Sequence, residues 1–426
     1  MNQTNASTRS YHFLSGPSLV ISLFFLWALT SNLLPVLIPH LKKACHLSVL
    51  QSSLIDSAYW IAYFVIAIPA GMFMRRFGYK NAIIAGLLLA ASGAFLFYPA
   101  AESRSFEFFL FALFILAAGM TFLETSANPF IMILGDPANA AQRLNFAQAF
   151  NGLGAFIASM FISKLIMGKG KSKSELELMS PGAIEDYYAT LFHSVKLPYI
   201  LIGLILIIAA LLFMFAQFSQ NSNTKHVCTQ YSGLPAELNE KFSIRLHPQL
   251  RSGIIAQFFY VGAQVCVSSF FILYATSVVG LNEYEATNYL GLLLLSFMLG
   301  RYAGSFLMKF IRAPKLLFIY AAISVVFMLN IVFQRGMESI YAFIGLEFFM
   351  SIMYPTIFSL AIKNLGKNTP TGSSYMVMAI IGGALFPPIL GFISDTCDSL
   401  RIAYLVPMFC FMPVLYFGWR ESFSAK

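Results

Sequence analysis

The sequence alternates between long apolar runs and short polar connections. A helix that crosses a bilayer needs about 20 mostly apolar residues. Runs of that length predict twelve membrane-spanning helices, called spans 1 to 12 below, at residues 18–40, 50–74, 81–101, 106–134, 142–167, 196–217, 252–278, 285–310, 314–334, 338–364, 371–394 and 400–419. Because the runs lack the alternating polarity of barrel strands, a membrane β-barrel is excluded.

Composition also predicts lipid as the solvent. Hydrophobic residues make up 58% of the chain and charged residues only 11%, whereas soluble proteins carry about 25% charged residues. The net charge of +9 does not gather into a basic face with aromatic residues between the charges, so we expect no nucleic-acid partner. The five cysteines are scattered without metal-ligand spacing, so we expect neither a metal site nor a disulfide framework.

The charges of the loops predict an orientation. An even number of spans places both termini on one side of the membrane. The loops on that side carry more Lys and Arg than the opposite loops, which is typical of the cytoplasmic side. We therefore expect a multi-pass membrane protein with both termini cytoplasmic.

The chain divides into two similar halves. The longest polar connection follows span 6, which predicts an N-terminal six-helix bundle at 1–217, a cytoplasmic linker at 218–250 and a C-terminal six-helix bundle at 251–426. "ANPFIMILG" at span 4 is echoed by "MYPTIFSLAIKNLG" at span 10, and "FNGLGAFI" in span 5 by "IIGGALFPP" in span 11. Such a repeat favours an all-α membrane fold in which two bundles rock about a central cavity, giving alternating access to each side.

A few polar residues fall inside the apolar spans of the first half. Glu124 lies within span 4, where an ionised carboxylate in hydrocarbon costs at least a few kcal/mol, so function is the default interpretation. Gln148 and Asn151 of span 5 are three residues apart and share a helix face. Two amides near a carboxylate supply hydrogen-bond donors and acceptors, which either line a polar binding pocket or hold neighbouring helices together.

The second half has its own polar positions. Gln257, Tyr260 and Gln264 follow one helical stripe of span 7, which we expect to face the cavity. Asn288 and Tyr354 are weaker candidates for the same cavity.

Two further ionisable residues lie inside spans of the second half. Arg301 stands near the inner end of span 8, where we expect its long cationic side chain to reach the cytoplasmic surface or to pair with an acidic loop residue. Glu347 lies inside span 10, where it either faces the cavity or pairs with an unidentified residue.

Several segments carry a family resemblance. The loop "GMFMRRFGYK" between spans 2 and 3 resembles the signature loop of the major facilitator superfamily, with Arg75 where an aspartate is usual. More specifically, the chain resembles the fucose permease branch, the fucose–galactose–hexose–sugar symporters, in "FFLWALTSN", "LETSANPF", "QRLNFAQAFNGLGA", "AQFFYVGAQ", "YPTIFSLAIKNLG" and "GSSYMVMAIIGG". This resemblance implies uptake of a monosaccharide together with protons, driven by the proton gradient without a cofactor.

The resemblance also implies roles for particular residues. It implies that Glu124 takes part in sugar binding and proton handling, and that Asn32, Gln148 and Asn151 contribute to sugar binding.

The chain departs from the family pattern in span 1. Pro35 stands where the family has its protonated aspartate. Asp56 in span 2 falls at a similar predicted depth on the neighbouring helix, so we hypothesise that it replaces that carboxylate in proton coupling.

Other functions remain open at this level. The change at Pro35 favours, as alternatives, a sugar uniporter or a Na⁺-coupled hexose carrier. A membrane enzyme is not expected because no histidine and no metal-binding motif lies at membrane depth. A sensor would need a signalling domain, and the linker and tails are too short for one.

Overall fold

The computed structural model describes residues 16–31, 49–103, 105–158, 180–216 and 247–423, and the regular structure in these ranges is helical. Nine of the helices described there are long and apolar enough to cross a membrane, and Pro17–Ser31 forms a shorter apolar helix.

The first half follows the predicted order of spans. Span 1 lies in Gly16–Ser31, spans 2 and 3 in Val49–Ser103, span 4 in Phe106–Ile133, span 5 in Ala140–Ile157 and span 6 in Pro181–Phe215. Spans 2 and 3 are separated at Gly78, where φ of 83° and ψ of 169° leave the helical path. Glycine tolerates this conformation because it has no Cβ. The signature-like loop therefore turns the chain at the glycine of "RRFGYK".

The second half contains more interrupted helices. Span 7 is Pro248–Tyr274 followed by a π-helical turn at Ala275–Val279, span 8 is Glu283–Leu307 and span 9 is Ala313–Phe333. The last three spans each consist of two helical segments: Met337–Met350 and Met353–Ala361 in span 10, Thr369–Met378 and Gly382–Cys397 in span 11, and Leu400–Ala403 and Leu405–Phe423 in span 12. The helical pattern is interrupted within each of spans 10 to 12, by a turn at 351–352, a 3-10 turn at Ala379–Ile381 and a turn at Tyr404. Each still forms one helix long and apolar enough to cross a membrane, as predicted.

Small residues bring helices together in equivalent places of the two halves. A Cβ added to Gly154 would lie 2.5 Å from the carbonyl oxygen of Phe25, and one added to Gly382 would lie 2.0 Å from that of Phe258. Span 5 thus packs closely on span 1, as span 11 does on span 7, because glycines allow close backbone approach. These glycines belong to the echoed segments "FNGLGAFI" and "IIGGALFPP".

In the described part of the chain, the two halves pack most extensively along two pairs of helices, and span 4 also contacts spans 10 and 11. Span 5 packs against span 8, and span 2 packs against span 11. The predicted bundle and linker boundaries stay predictions, since most of the linker lies outside the described residues.

Candidate functional site

Glu124 lies buried between the two halves, with only 3% of the residue exposed. The hydroxyl of Tyr354 in span 10 donates a hydrogen bond to Glu124 Oε1. Tyr63 of span 2 is also close enough to interact with the carboxylate. A carboxylate removed from water needs such donors, and bonds to an ionised group are the strong ones. The Glu124–Tyr354 bond therefore joins span 4 to span 10.

The predicted amides of span 5 lie near Glu124, because Gln148 bonds a residue of span 4 that is one helical turn away from it. Gln148 is buried and its Nε2 donates to Asn128 Oδ1 of span 4 at 3.1 Å. Asn151 Nδ2 donates to the carbonyl of Phe24 in span 1 at 3.3 Å. The side-chain oxygens of both amides accept from Arg301 Nη1, at 3.4 and 3.3 Å. Gln148 and Asn151 thus present one helix face, as their spacing predicted.

Arg301 of span 8 also joins the two halves. It is 4% exposed, and Nη1 also donates to the backbone carbonyl of Gln148 at 2.6 Å. Its guanidinium lies 4.5 Å from the ring centroid of Phe297. The prediction that Arg301 reaches the cytoplasmic surface was wrong, because acceptors inside the membrane region hold the side chain there.

Prolines in the two halves create some of those acceptors. Pro355 has no N–H, so the carbonyl of Ser351 loses its helical donor, and Arg301 Nε donates to it at 3.0 Å. Pro129 likewise frees the carbonyl of Thr125, which accepts from Ser373 Oγ of span 11 at 2.6 Å. Each proline of the internal repeat therefore supports a polar contact between helices.

The predicted stripe on span 7 divides into three environments. Gln257 is fully buried, and neither its amide nitrogen nor its oxygen has a hydrogen-bond partner among the residues that the structure describes. Tyr260 is also fully buried, but its hydroxyl donates to the carbonyl of Met350 at 2.9 Å, inside the second half. Gln264 is half-buried. Their role in sugar binding stays a prediction, and Gln257 has the free hydrogen-bonding atoms that such a role requires.

Three positions of the first half cannot be placed in this site. Asn32 and Pro35 lie outside the described residues. Asp56 belongs to the helix Val49–Ser103, but its side chain lies outside the described part of the structure. The proposed substitution of Asp56 for the span 1 carboxylate therefore stays a prediction.

The sequence pattern of a known family covers most of the chain. The family model described as the Major Facilitator Superfamily matches residues 19–387. The chain belongs to the Major Facilitator Superfamily. The predicted all-α fold of this superfamily, with 12 membrane helices, is thereby confirmed.

Superfamily members with similar full-length sequences have names that refer to sugars. The chain is 40% identical over 439 residues to the L-fucose-proton symporter of Escherichia coli (strain K12), covering 100% of both chains. It is 35% identical over 405 residues to the glucose/galactose transporter of Brucella abortus biovar 1, covering 94% of this chain and 93% of that protein.

Solved superfamily structures match closely as well. A crystal structure of the Escherichia coli fucose:proton symporter superposes with a TM-score of 0.84 at 40% identity, covering 95% of this chain and 98% of the other. A second crystal structure of a superfamily transporter, in the outward conformation, matches with the same score and coverage.

Sequence reasoning gave too little weight to two polar residues near Glu124, namely Arg301 and Tyr354. Arg301 had a signal, since an ionisable residue inside a span is a functional candidate by default. Tyr354 had one too: it precedes Pro355 as Asn128 precedes Pro129, so the repeat places both at one equivalent position. Each is a polar partner of a candidate site residue, Glu124 for Tyr354 and Gln148 for Asn128.

Proposed function

We propose that the chain is a secondary active transporter that imports a monosaccharide, L-fucose or a related hexose, together with protons by alternating access. The observation that carries this proposal is the buried carboxylate of Glu124, bonded to Tyr354 of the opposite half. A proton added to or removed from this carboxylate acts directly on a contact between the halves.

Polar side chains near Glu124 connect proton binding to sugar binding. They include Gln148 and Asn151, whose amides supply both hydrogen-bond donors and acceptors. Sugar hydroxyls need such groups, and a site built to bond hydroxyls rejects analogues that lack them. A sugar that bonds these groups competes with their bonds to Arg301 and so changes the same contact between halves.

The relatives support the substrate class. Proteins named for L-fucose–proton symport and for glucose/galactose transport align with the whole or nearly the whole chain. We expect no enzymatic activity and no cofactor, with the proton gradient as the driving force. We also propose a monomer in the bacterial inner membrane with both termini cytoplasmic.

A second transport mode has a specific observation in its favour. Pro35 stands where the family resemblance expects an acidic residue, which favours a sugar uniporter or a Na⁺-coupled carrier. In that case Glu124 would bind sugar without moving a proton.

Uptake into proteoliposomes tests these modes. Purified protein is reconstituted, and uptake of radiolabelled L-fucose is measured with an inward proton gradient, with a Na⁺ gradient and with neither. D-galactose, D-glucose, D-mannose and N-acetylglucosamine serve as competitors. We expect accumulation with the proton gradient alone. Equilibration without accumulation would identify a uniporter, and failure of every sugar to be transported or to compete would refute the proposal.

A further inference from the structure

Glu347 is a second buried carboxylate, and the sugar site described above does not use it. It lies in span 10 and is 4% exposed. Its Oε1 lies 3.5 Å from Ser268 Oγ, a distance at the limit of a hydrogen bond. Ser268 is exposed and stands four residues after Gln264 on the same face of span 7. Ser268 therefore connects the carboxylate to the face of span 7 that we expect to line the cavity.

Arg301 is a cation close to both this carboxylate and Glu124. Its guanidinium interacts electrostatically with both carboxylates. No carboxylate in the described part of the chain pairs directly with it, because its hydrogen bonds go to amide and carbonyl oxygens. One of these is the carbonyl of Ser351, one helical turn after Glu347. The cation is thus fixed one turn from Glu347 on the same half of the molecule.

Charge balance limits how many protons are bound by the cluster of Glu124, Glu347 and Arg301. Two carboxylates and one guanidinium share a region from which water is largely excluded. With both carboxylates ionised the net charge is −1, and with both protonated it is +1. The state with one bound proton is neutral. A net charge is unfavourable where the effective dielectric constant is low. One proton shared between the two carboxylates is therefore the favoured state.

We propose that Glu347 is a second proton-binding carboxylate of this transporter, and that Arg301 expels its proton when the halves separate. This inference rests on the proposed proton-coupled function. In the described state Arg301 is bound to Gln148 and Asn151 of the first half. Separation of spans 5 and 8 breaks these bonds, while Arg301 and Glu347 stay together in the second half. The freed guanidinium then favours the ionised form of Glu347, and the proton leaves towards the newly opened side.

Within the described ranges, the other titratable groups that interact with Glu347 or pack beside it are tyrosines. Tyr260 of span 7 and Tyr404 of span 12 interact electrostatically with it, and Tyr320 of span 9 packs on Phe348 and Phe349. Phenols stay neutral near physiological pH. Arg301 and the carboxylates therefore account for charge changes in this part of the core.

The test separates sugar movement from proton movement. Wild type, Glu347→Gln and the matched control Glu338→Gln, an exposed glutamate at the start of span 10, are reconstituted in proteoliposomes. Counterflow of radiolabelled L-fucose reports sugar exchange without net proton transfer. Alkalinisation of a weakly buffered medium on sugar addition reports proton entry.

We expect Glu347→Gln to lower counterflow less than about fivefold and to reduce sugar-induced alkalinisation at least tenfold, with Glu338→Gln like wild type. Wild-type alkalinisation in Glu347→Gln would overturn the inference while leaving the proposed function intact. No alkalinisation by wild type would refute both.

A second variant covers the case in which Glu347→Gln does not fold. Glu347→Asp keeps the carboxylate but moves it away from Ser268 and Arg301. We expect the pH profile of proton-driven uptake to shift by about half a unit or more. An unshifted profile with normal uptake would overturn the inference.

Discussion

Tyr354 and Glu124 form a hydrogen bond that exists only while spans 4 and 10 are in contact. The two residues belong to different halves, and both are buried. A hydrogen bond to a charged group contributes roughly 1.5–3 kcal/mol. This one bond is therefore large enough to bias the equilibrium between two conformations by about tenfold or more.

We predict that Tyr354→Phe lowers proton-driven sugar accumulation about tenfold, because the carboxylate loses its donor from the opposite half. Uptake under a proton gradient measures the effect. Tyr320→Phe is the matched control, since the buried hydroxyl of Tyr320 has no hydrogen-bond partner among the described residues. Equal effects of the two substitutions would contradict a specific role for the Tyr354 hydroxyl.

Gln257 offers a test of sugar binding in the second half. Its buried amide has no hydrogen-bond partner in the described part of the chain, so replacing it by Leu removes none of the hydrogen bonds seen there. Bonds from both amide atoms to a sugar would contribute roughly 0.5–1.5 kcal/mol each. We predict that Gln257→Leu weakens the apparent affinity for the transported sugar about tenfold without lowering Tm. Unchanged affinity would assign Gln257 a packing role.

At the scale of helices, close approach between span 2 and span 11 depends on Gly71. A Cβ there would lie 1.7 Å from Ser374 Oγ and 2.9 Å from the carbonyl oxygen of Pro370. The serine side chain can rotate, but the backbone carbonyl cannot move without shifting span 11. Gly71 therefore allows the two halves to touch at the start of span 11.

We predict that Gly71→Ala destabilises this contact by about 1–3 kcal/mol, the usual range for overpacking. The initial rate of sugar uptake is expected to fall severalfold. Gly391→Ala in span 11 is the control, because the nearest atom to its added Cβ lies 3.9 Å away. A normal uptake rate for Gly71→Ala would show that the contact does not limit the cycle.

The helices were more predictable from the sequence than the contacts between them. Bilayer thickness fixes the length of an apolar run, so the spans follow from local composition. The break in span 10 does not, because the freed carbonyl of Ser351 is stable only beside Arg301, a residue 50 positions away. Glu124 was recognisable because a carboxylate inside a span has few structural roles, whereas the position of Arg301 depends on acceptors in span 5.

At the scale of the whole molecule, the described state is closed at one end. Ser305 Oγ of span 8 donates to the carbonyl of Gln142 at 3.2 Å, next to the loop between spans 4 and 5. Nearby, Asn145 Nδ2 donates to Thr356 Oγ1 at 3.1 Å. If the termini are cytoplasmic as proposed, this closed end faces the cytoplasm.

A reversible cross-link at this end tests alternating access. We predict that the double variant Gln142→Cys/Ser305→Cys forms a disulfide under mild oxidation, because its positions are in contact across the halves. Sugar uptake should fall more than tenfold on oxidation and recover with a reductant. Each single-cysteine variant serves as a control. Full uptake by cross-linked protein would contradict separation of the halves at this end.

The central claim is that Glu124 couples sugar entry to proton entry. The most direct measurement is alkalinisation of the medium when L-fucose is added to proteoliposomes containing wild type or Glu124→Gln. The account predicts immediate alkalinisation with wild type and a loss of at least tenfold with Glu124→Gln. Sugar uptake by wild type without any alkalinisation, or equal alkalinisation by both proteins, would contradict it.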